Sequence, residues 1–357
     1  MNKKPIILGI ESSCDETAAS IITENKQGLP TILSNVVSSQ TDVHKEFGGV
    51  VPELAARSHI EKIDLITRKA IEESGVTLEN VDAVAATAGP GLIVCLSVGL
   101  SFGKAIASSL NKPFIAVNHL EGHALSPKLN FKLDYPYLLL LISGGHTQFL
   151  SVKKLGNYKR LGTTIDDAIG EAFDKTAKLL GIEFPGGPQI EIYAKKGNPN
   201  KYELPKPIFN KGGCNLSFAG LKTAVLKISK KIKTKQEKYD LAASFQKTIE
   251  EILYKKTKIA FGEFKKINKD IINIFVVAGG VAANKKIREV LENLCKEEEF
   301  AAIFPPINLC GDNAAMIAMV GLEKFKLNQF SKLDYPAKPR WQLDESAAFL
   351  KGAGVRL

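Results

Sequence analysis

Two histidines four residues apart are the side chains of this sequence best suited to bind a metal ion. His119 and His123 belong to the run His-Leu-Glu-Gly-His. On a helix this spacing places both imidazoles on one face, one turn apart, and imidazoles are common metal ligands. A pair of histidines on a helix surface is the other interpretation. Because Leu120 rather than a glutamate follows the first histidine, metalloprotease chemistry of the His-Glu-x-x-His type is not supported.

A carboxylate much farther along the chain is the best candidate for a third ligand, since two histidines do not complete a metal site. Asp312 lies in the run Cys-Gly-Asp-Asn, directly before a predicted helix that begins at Ala314. A helix N-cap is the simpler interpretation of an aspartate at this place.

Three carboxylates crowd the tip of a predicted hairpin near the start of the chain. They are Glu11, Asp15 and Glu16. A carboxylate held there could position a metal-bound water or act as a general base, so Glu11 and Asp15 are the candidate catalytic residues. A solvated turn is the other interpretation of this acidic cluster.

Glycine-rich segments follow two of the predicted buried strands. One is Ser-Gly-Gly-His-Thr at 143–147, and the other is Gly-Gly-Val-Ala-Ala-Asn at 279–284. Glycines let backbone N–H groups approach an anion, and the N-terminus of a following helix favours negative charge. Each segment alone is more typical of a turn than of a site. Together with Asp174 and the Pro-Gly-Gly run at 185–187 they indicate a nucleotide-binding cradle.

Length and composition limit the class of protein. The chain has 357 residues, with 45% apolar and 24% charged residues, which suggests about two globular domains and excludes disorder for most of the chain. Five scattered cysteines without Cys-x-x-Cys spacing predict reduced thiols inside a cell. We find neither a signal peptide nor an apolar run of membrane-spanning length. The expectation is therefore a cytoplasmic protein, or one of an organelle matrix, without a membrane partner.

Positive charge is concentrated in one stretch of the chain. The net charge is +10, from 48 basic and 38 acidic residues. Residues 1–140 have a net charge of −3, whereas residues 195–269 contain 19 lysines, no arginine and 6 acidic residues, a net charge of +13. Two predicted lysine-rich helices here could contact a phosphate backbone through a salt-sensitive surface. A solvated helix face is the other interpretation, and the lack of arginine argues against bidentate recognition.

Predicted strands and helices alternate along the chain, which favours an α/β fold with a partly parallel sheet. Residues 81–92 and 271–284 share one form, a buried strand followed by a glycine break and a helix, and the hairpins at 6–22 and 137–152 also resemble each other. A duplicated α/β unit with a ligand cleft between two lobes follows. The expected lobes are residues 1–130 with 322–357, and residues 131–321 with a lysine-rich helical insertion at approximately 195–269.

Taken together and in this order, these motifs resemble the TsaD family, the bacterial and mitochondrial tRNA N6-adenosine threonylcarbamoyltransferases once described as O-sialoglycoprotein endopeptidases. The resemblance covers nearly the whole chain. Its blocks are residues 9–17, 47–53, 119–123, 143–147, 166–175, 185–188, 215–222, 279–284 and 310–313. So many separated blocks in register argue against a chance match.

The resemblance implies a fold of the actin/Hsp70/sugar-kinase (ASKHA) type, in which two ribonuclease-H-like lobes surround a nucleotide cleft. It implies a metal bound by His119, His123 and Asp312. It places the substrate nucleotide against Ile142, Ser143, Gly144, Gly145, His146, Asp174, Gly187 and Asn284, with Glu191 at the ribose. Archaeal and eukaryotic relatives have a metal-binding tyrosine where this chain has Leu141, so substrate or water would be the fourth ligand. Glu191 stands at a position that varies within the family.

The activity that the resemblance implies is transfer of the threonylcarbamoyl group from threonylcarbamoyl-AMP to N6 of an adenosine in tRNA, with release of AMP. The adenosine is the one next to the anticodon in tRNAs that read codons starting with A. Glu11 or Asp15 would take a proton. One divalent metal per subunit is expected, with Fe²⁺ favoured by the resemblance and Zn²⁺ as the alternative, because imidazole and carboxylate suit several divalent ions. Involvement of ATP stays open.

The resemblance also implies partners: tRNA, and either TsaB-like and TsaE-like proteins in a bacterium or a second copy of the chain in a mitochondrial homodimer. Two other functions are compatible with the fold. One is a small-molecule kinase of the same superfamily, against which the two histidines count because such kinases need no imidazole ligands. The other is a nucleotide-switched binding protein without catalytic activity.

Overall fold

The computed structural model describes residues 4–269 and 272–348, which form two compact units. The strands are β1 (Ile7–Glu11), β2 (Glu16–Glu24), β3 (Pro30–Ser39), β4 (Ala83–Gly89), β5 (Phe114–Asn118), β6 (Tyr137–Ile142), β7 (Thr147–Lys154), β8 (Asn157–Thr163), β9 (Ile274–Ala278) and β10 (Ala301–Ile303). The helices are α1 (Thr41–His44), α2 (Pro52–Ser74), α3 (Ile93–Ser109), α4 (His119–Leu125), α5 (Ile169–Leu179), α6 (Gly186–Ala194), α7 (Ala219–Ser229), α8 (Lys235–Ile267), α9 (Lys285–Glu298) and α10 (Ala314–Lys326).

The first unit contains residues 4–133 and 312–345 and is built on a sheet of order β3-β2-β1-β4-β5. Strand β1 is antiparallel to β2 and parallel to β4. Because side chains alternate across a strand, Leu8 and Ile10 pack in one core with α2 and α3, while Gly9 faces the other way. A Cβ added to Gly9 would lie 2.4 Å from the Ala314 carbonyl oxygen of α10. Helices therefore cover both faces of this sheet.

The second unit contains residues 134–311 and 346–348, and its sheet has the order β8-β7-β6-β9-β10. Strand β6 is antiparallel to β7 and parallel to β9, which repeats the pattern of the first sheet strand for strand. Leu138, Leu140 and Ile142 of β6 share a core with Phe245 and Phe261 of α8. The repeated topology confirms the predicted duplication of an α/β unit.

The lysine-rich helices α7 and α8 contribute to the core of the second unit. Lys256 is buried, and its Nζ donates to the carbonyl oxygens of Lys211 and Gly213 at 2.9 and 3.2 Å. Lys258 pairs with Glu298 at 2.7 Å. Lys256 thus helps to hold this unit together, so this half of α8 is not a purely solvated lysine face, although Lys258 and Lys266 are exposed.

Several boundaries differ from the sequence expectation. Residues 312–321, expected in the second lobe, belong to the first unit because α10 packs on β1, β2 and β4. Residues 131–133 also belong to the first unit, and residues 346–348 belong to the second. The Pro-Gly-Gly-Pro run at 185–188 lies at the start of helix α6. The strand expected from Ile271 begins at Ile274, and Ile271 lies outside the described residues, as do residues 349–357 of the expected first lobe. Among the described residues, no helix combines the length and apolar character needed to cross a membrane.

Candidate metal and substrate-binding sites

The two histidines lie on α4, a short buried helix that starts directly after β5. Asn118 caps this helix, since its side-chain oxygen accepts from the backbone N–H groups of Leu120 and Glu121 at 2.9 and 3.4 Å. His119 and His123 are both buried, with ring centroids 4.8 Å apart. The predicted placement of the two imidazoles on one helix face is what the structure contains.

Asp312 joins the two histidines in the first unit, although 189 residues separate it from His123. Its Oδ1 lies 3.0 Å from His123 Nε2 and 3.5 Å from His119 Nε2. One ligand atom from each of the three side chains lies within 4.8 Å of the others. The N-cap of α10 is Asn313, whose side chain accepts from the Met316 N–H, so the simpler interpretation of Asp312 as a helix cap is wrong.

Glu11 orients His119 through Nδ1, the ring nitrogen that does not face Asp312. Its Oε2 lies 3.0 Å from His119 Nδ1 and accepts from the Thr87 hydroxyl at 2.7 Å, and its Oε1 accepts from the Ser13 N–H at 2.5 Å. Since an ionised carboxylate can only accept, His119 Nδ1 carries the hydrogen. When the ring is neutral, the lone pair of Nε2 is available to a metal, which is the arrangement by which a carboxylate prepares a histidine to ligate one.

The carboxylates of Asp312 and Glu11 make the surroundings of His119 favourable for a cation. Burial opposes protonation of this ring, but Asp312 and Glu11 outweigh it and raise the pKa of His119 to about 9. Burial likewise opposes ionisation of Glu11, yet the neighbouring His119 lowers the pKa of that carboxyl below its ordinary value. Two imidazoles and a carboxylate oxygen are a donor set that divalent transition metals accept. The residues present therefore fit a metal ion.

The remaining acidic residues of the 11–16 turn lie beside this group. Glu16 is half-buried, and desolvation together with nearby Asp312 and Asp15 raises its pKa well above the ordinary value. Asp15 lies at the same turn and is half-buried. The alternative of a fully solvated turn does not fit, because Asp15 and Glu16 are only partly exposed and Glu16 is close enough to Asp312 to be affected by its charge.

The predicted nucleotide residues lie in the second unit, beginning with the turn after β6. Ser143 and His146 close this turn, with their backbone groups 2.8 Å apart and the Ser143 hydroxyl 3.2 Å from the His146 N–H. Nothing lies within 4 Å of a Cβ added to Gly144 or Gly145, whereas one added to Gly170 of α5 would meet the Ser143 oxygen at 2.6 Å. The start of α5 thus supports a turn whose glycines face open space.

Helix α6 brings further predicted residues to this unit. Asp174 of α5 accepts from the Gly186 N–H at 2.8 Å, which attaches the start of α6 to α5. A Cβ added to the next residue, Gly187, would have open space around it. Glu191 accepts from the Lys285 N–H at 3.3 Å and so lies beside Asn284.

Asn284 is held by a residue that the sequence analysis did not identify. Its amide pairs reciprocally with Gln246 of α8, at 3.0 and 3.2 Å, and its oxygen also accepts from the Ile287 N–H at 3.0 Å. Asn284 therefore caps α9. No motif in the sequence connects Gln246 with Asn284, which lies 38 residues away.

Comparisons with known proteins agree on one family. The sequence profile of TsaD, described as tRNA N6-adenosine threonylcarbamoyltransferase, matches residues 31–319. A protein of that name from Pelagibacter ubique (strain HTCC1062) is 87% identical over 357 residues, which is all of both chains. The chain belongs to the TsaD family. A relative of the same name from Rickettsia massiliae is 53% identical over 95% of this chain and 98% of its own length.

The fold of this TsaD-family chain is also similar to that of a distant solved structure. HypF from T. kodakarensis aligns with 93% of this chain and 49% of its own length, with a TM-score of 0.60 and 14% sequence identity. Such a likeness bears on the fold alone. With the family membership and the duplicated sheets, the predicted ASKHA-type fold is confirmed.

Proposed function

We propose that this chain is a tRNA N6-adenosine threonylcarbamoyltransferase. It moves the threonylcarbamoyl group from threonylcarbamoyl-AMP to N6 of the adenosine next to the anticodon in tRNAs that read codons starting with A, and AMP leaves. The observation that carries the proposal is the 87% identity, over the full length, to a relative with this name. The names of the relatives do not favour a kinase or a nucleotide-switched binding protein.

The metal is assigned to His119, His123 and Asp312, and Glu11 orients His119. When bound, a divalent ion would polarise a phosphate or carbonyl oxygen of the substrate and stabilise negative charge that develops there. Fe²⁺ is the first choice and Zn²⁺ the second. Leu141 offers no donor, so the remaining coordination position goes to substrate or water.

The adenylate is assigned to the second unit. Backbone N–H groups of the turn Ile142 to His146 would contact its phosphate, and Asp174, Gly187 and Asn284 would surround the nucleoside, with Glu191 at the ribose. The N6 amine attacks the carbamoyl carbon, a C–N bond forms, and the bond from that carbon to the phosphate oxygen breaks. A base takes one proton from the amine. Asp15 is the better placed candidate, because the oxygens of Glu11 already accept from Ser13 and Thr87.

The proposed partners follow from the organisms of the relatives. Pelagibacter and Rickettsia are bacteria, so TsaB-like and TsaE-like proteins are the expected protein partners, rather than a second copy of this chain as in mitochondria. We place the protein in the cytoplasm.

Reconstitution tests the function. The purified chain is incubated with threonylcarbamoyl-AMP and an unmodified tRNA transcript, with and without the two partners, and modified nucleoside and AMP are measured by mass spectrometry. We expect equal amounts of both products. A transcript with guanosine in place of the target adenosine should give neither. Transfer of labelled γ-phosphate from ATP to a small acceptor without tRNA would instead identify a kinase.

A cluster of exposed lysines is the proposed contact surface for the tRNA backbone, and it runs from the end of α7 to the start of α8. It consists of Lys227, Lys230, Lys231, Lys233 and Lys235. Replacing Lys230, Lys231 and Lys233 with glutamate should weaken tRNA binding and lower the slope of log affinity against log salt by about 1 for each lysine that contacts a phosphate. Filter binding of tRNA across a salt series measures both quantities.

A matched charge change elsewhere in the second unit is the control for this prediction. Lys153, Lys154 and Lys159 are exposed on the β7–β8 hairpin, and their replacement by glutamate changes the net charge by the same amount. This control should leave most of the salt dependence unchanged. If both triple variants weaken binding equally, the effect comes from total charge, and the tRNA surface lies elsewhere.

A further inference from the structure

A network of buried polar side chains lies behind the 11–16 turn of the first unit, and the proposed chemistry assigns no role to it. Its members are Thr17 near the start of β2, Gln40 and His44 at the two ends of α1, and His59 on α2. All four are buried, and two of the five histidines of the chain are among them. Buried polar groups are costly unless their hydrogen bonds are satisfied, and the bonds of this network fix the state of both histidines.

Backbone groups determine the state of His44. The Val51 N–H can only donate, and it lies 3.3 Å from His44 Nδ1, so this nitrogen is an acceptor. The hydrogen of the neutral ring is then on Nε2, which donates to Gln40 Oε1 at 3.3 Å. The amide nitrogen of Gln40 therefore points the other way, and it donates to the Ala55 carbonyl oxygen at 3.3 Å.

The same reasoning determines the state of His59. The Cys14 carbonyl oxygen can only accept, and it lies 3.1 Å from His59 Nε2, so Nε2 carries the hydrogen. Burial lowers the pKa of His59 below its ordinary value, which keeps the ring neutral. His59 Nδ1 is then an acceptor: the Thr17 hydroxyl donates to it at 2.8 Å, and the Gln40 amide nitrogen lies farther away, at 3.3 Å.

The bond from His59 Nε2 to the Cys14 carbonyl holds the 11–16 turn, whose residues orient His119. Within the turn, the Ser13 carbonyl accepts from the Leu92 N–H at 2.9 Å and the Asp15 carbonyl from the Gln40 N–H at 3.0 Å. The Cys14 carbonyl between them is held by a side chain, that of His59. Ser13, one residue earlier, places its hydroxyl 3.2 Å from His119 Nδ1, next to the Glu11 carboxylate.

We propose that His59 is a positioning residue of the metal site: its Nε2–H, aligned by the Thr17 hydroxyl, fixes the Cys14 carbonyl and thereby the turn through which Ser13 and Glu11 orient His119. The proposal rests on the metal assignment made above, but it makes no use of tRNA or of transfer activity. His59 contacts neither the substrate nor the metal ligands, so it acts only through the turn.

Two substitutions at His59 distinguish the loss of its hydrogen bond to the Cys14 carbonyl from the loss of the ring's packing. In His59→Gln the amide nitrogen can reach the position of Nε2 and still donate to the Cys14 carbonyl. In His59→Asn the shorter amide ends near the position of Nδ1 and cannot. The affinity of the purified chain for Zn²⁺ is measured by competition with a chromogenic chelator, and folding is checked by thermal unfolding of the metal-free protein.

We expect His59→Asn to bind Zn²⁺ roughly tenfold more weakly than the parent chain, and His59→Gln to stay within about threefold of it. In ¹⁵N-histidine spectra of the parent, His59 should show hydrogen on Nε2. The His119 nitrogens should change in His59→Asn but not in His59→Gln. Equal affinity of His59→Asn and the parent would overturn the proposal, as would equal losses in the two variants.

If His59→Asn does not fold, Thr17→Val tests the same role of His59 in metal binding. This change preserves side-chain volume but removes the hydroxyl that aligns His59. Zn²⁺ affinity should fall in the same direction, while Thr17→Ser, which retains a hydroxyl, should restore it. Unchanged Zn²⁺ affinity and unchanged His59 nitrogen shifts in Thr17→Val would contradict the proposed role. If instead the parent chain binds no Zn²⁺ at this site, the metal assignment itself fails.

Discussion

Replacing His119 and Asp312 together with alanine should remove the bound metal and lower threonylcarbamoyl transfer by roughly a thousandfold or more. Two of the three converging ligand atoms are lost, and His123 alone cannot hold an ion. The protein should stay folded, since the apolar core of the first unit is formed by other residues. Elemental analysis gives the metal content, and the reconstituted reaction gives the rate.

The neighbouring residue supplies the control for this double variant. Asn313 caps α10 through its side chain but is not part of the ligand group. Asn313→Ala should lower the free energy of unfolding by about 1 kcal/mol and keep a full complement of metal. If the double variant retains its metal, the ion is bound elsewhere and the assigned site is wrong.

Replacing Gly279 with alanine should destabilise the second unit by about 3 kcal/mol and weaken nucleotide binding. Gly279 has a φ of +98°, in the region that favours glycine, and an added Cβ would lie 2.4 Å from the Ile142 carbonyl oxygen and 3.2 Å from the Ser143 nitrogen. Relief of this clash requires movement of the turn assigned to the adenylate. Denaturant unfolding measures the first effect, and calorimetric titration with AMP measures the second.

The adjacent glycine is the matched control. A Cβ on Gly280 would meet no atom within 4 Å, so Gly280→Ala should change the free energy of unfolding by less than about 1 kcal/mol and leave AMP binding unchanged. Equal effects of the two substitutions would show that close approach to Ile142 is not what requires glycine at position 279.

Features that depend on neighbours in the chain were predictable from the sequence. The spacing of His119 and His123 predicts two imidazoles on one helix face, because the geometry of a helix is the same wherever it lies. The glycine breaks after β6 and β9 likewise mark turns at the ends of buried strands. The repeated order of strands and helices predicts a duplicated α/β unit, which the two sheets confirm.

Features that depend on distant contacts were not predictable in the same way. The sequence around Asp312 fits a helix cap as well as a third metal ligand, and the family resemblance favoured the ligand role. Gln246 and His59 carry no local signal at all, since each is a polar residue on a long helix whose partner comes from another part of the chain. Burial in the folded unit makes those bonds necessary, and burial is not a local property.

The lysine-rich stretch at 195–269 contains one feature that the sequence predicts and one that it does not. Its composition predicts lysine-rich helices, but not which lysines face solvent. In the structure, Lys256 is buried against backbone carbonyls and Lys258 pairs with Glu298, whereas the lysines between α7 and α8 stay exposed. That exposed group is the one we propose for the tRNA contact.

By itself the sequence determined the two histidines on one face, the glycine turns, the duplicated fold and, through its separated motifs, the family. These are consequences of helix and strand periodicity and of residue type, which act over a few positions. Only the tertiary structure decided that Asp312 meets the histidines, that Glu11 and Ser13 stand behind His119, and that His59 holds their turn. Those contacts join residues up to 189 positions apart, and packing of the sheet against α2, α4 and α10 brings them together.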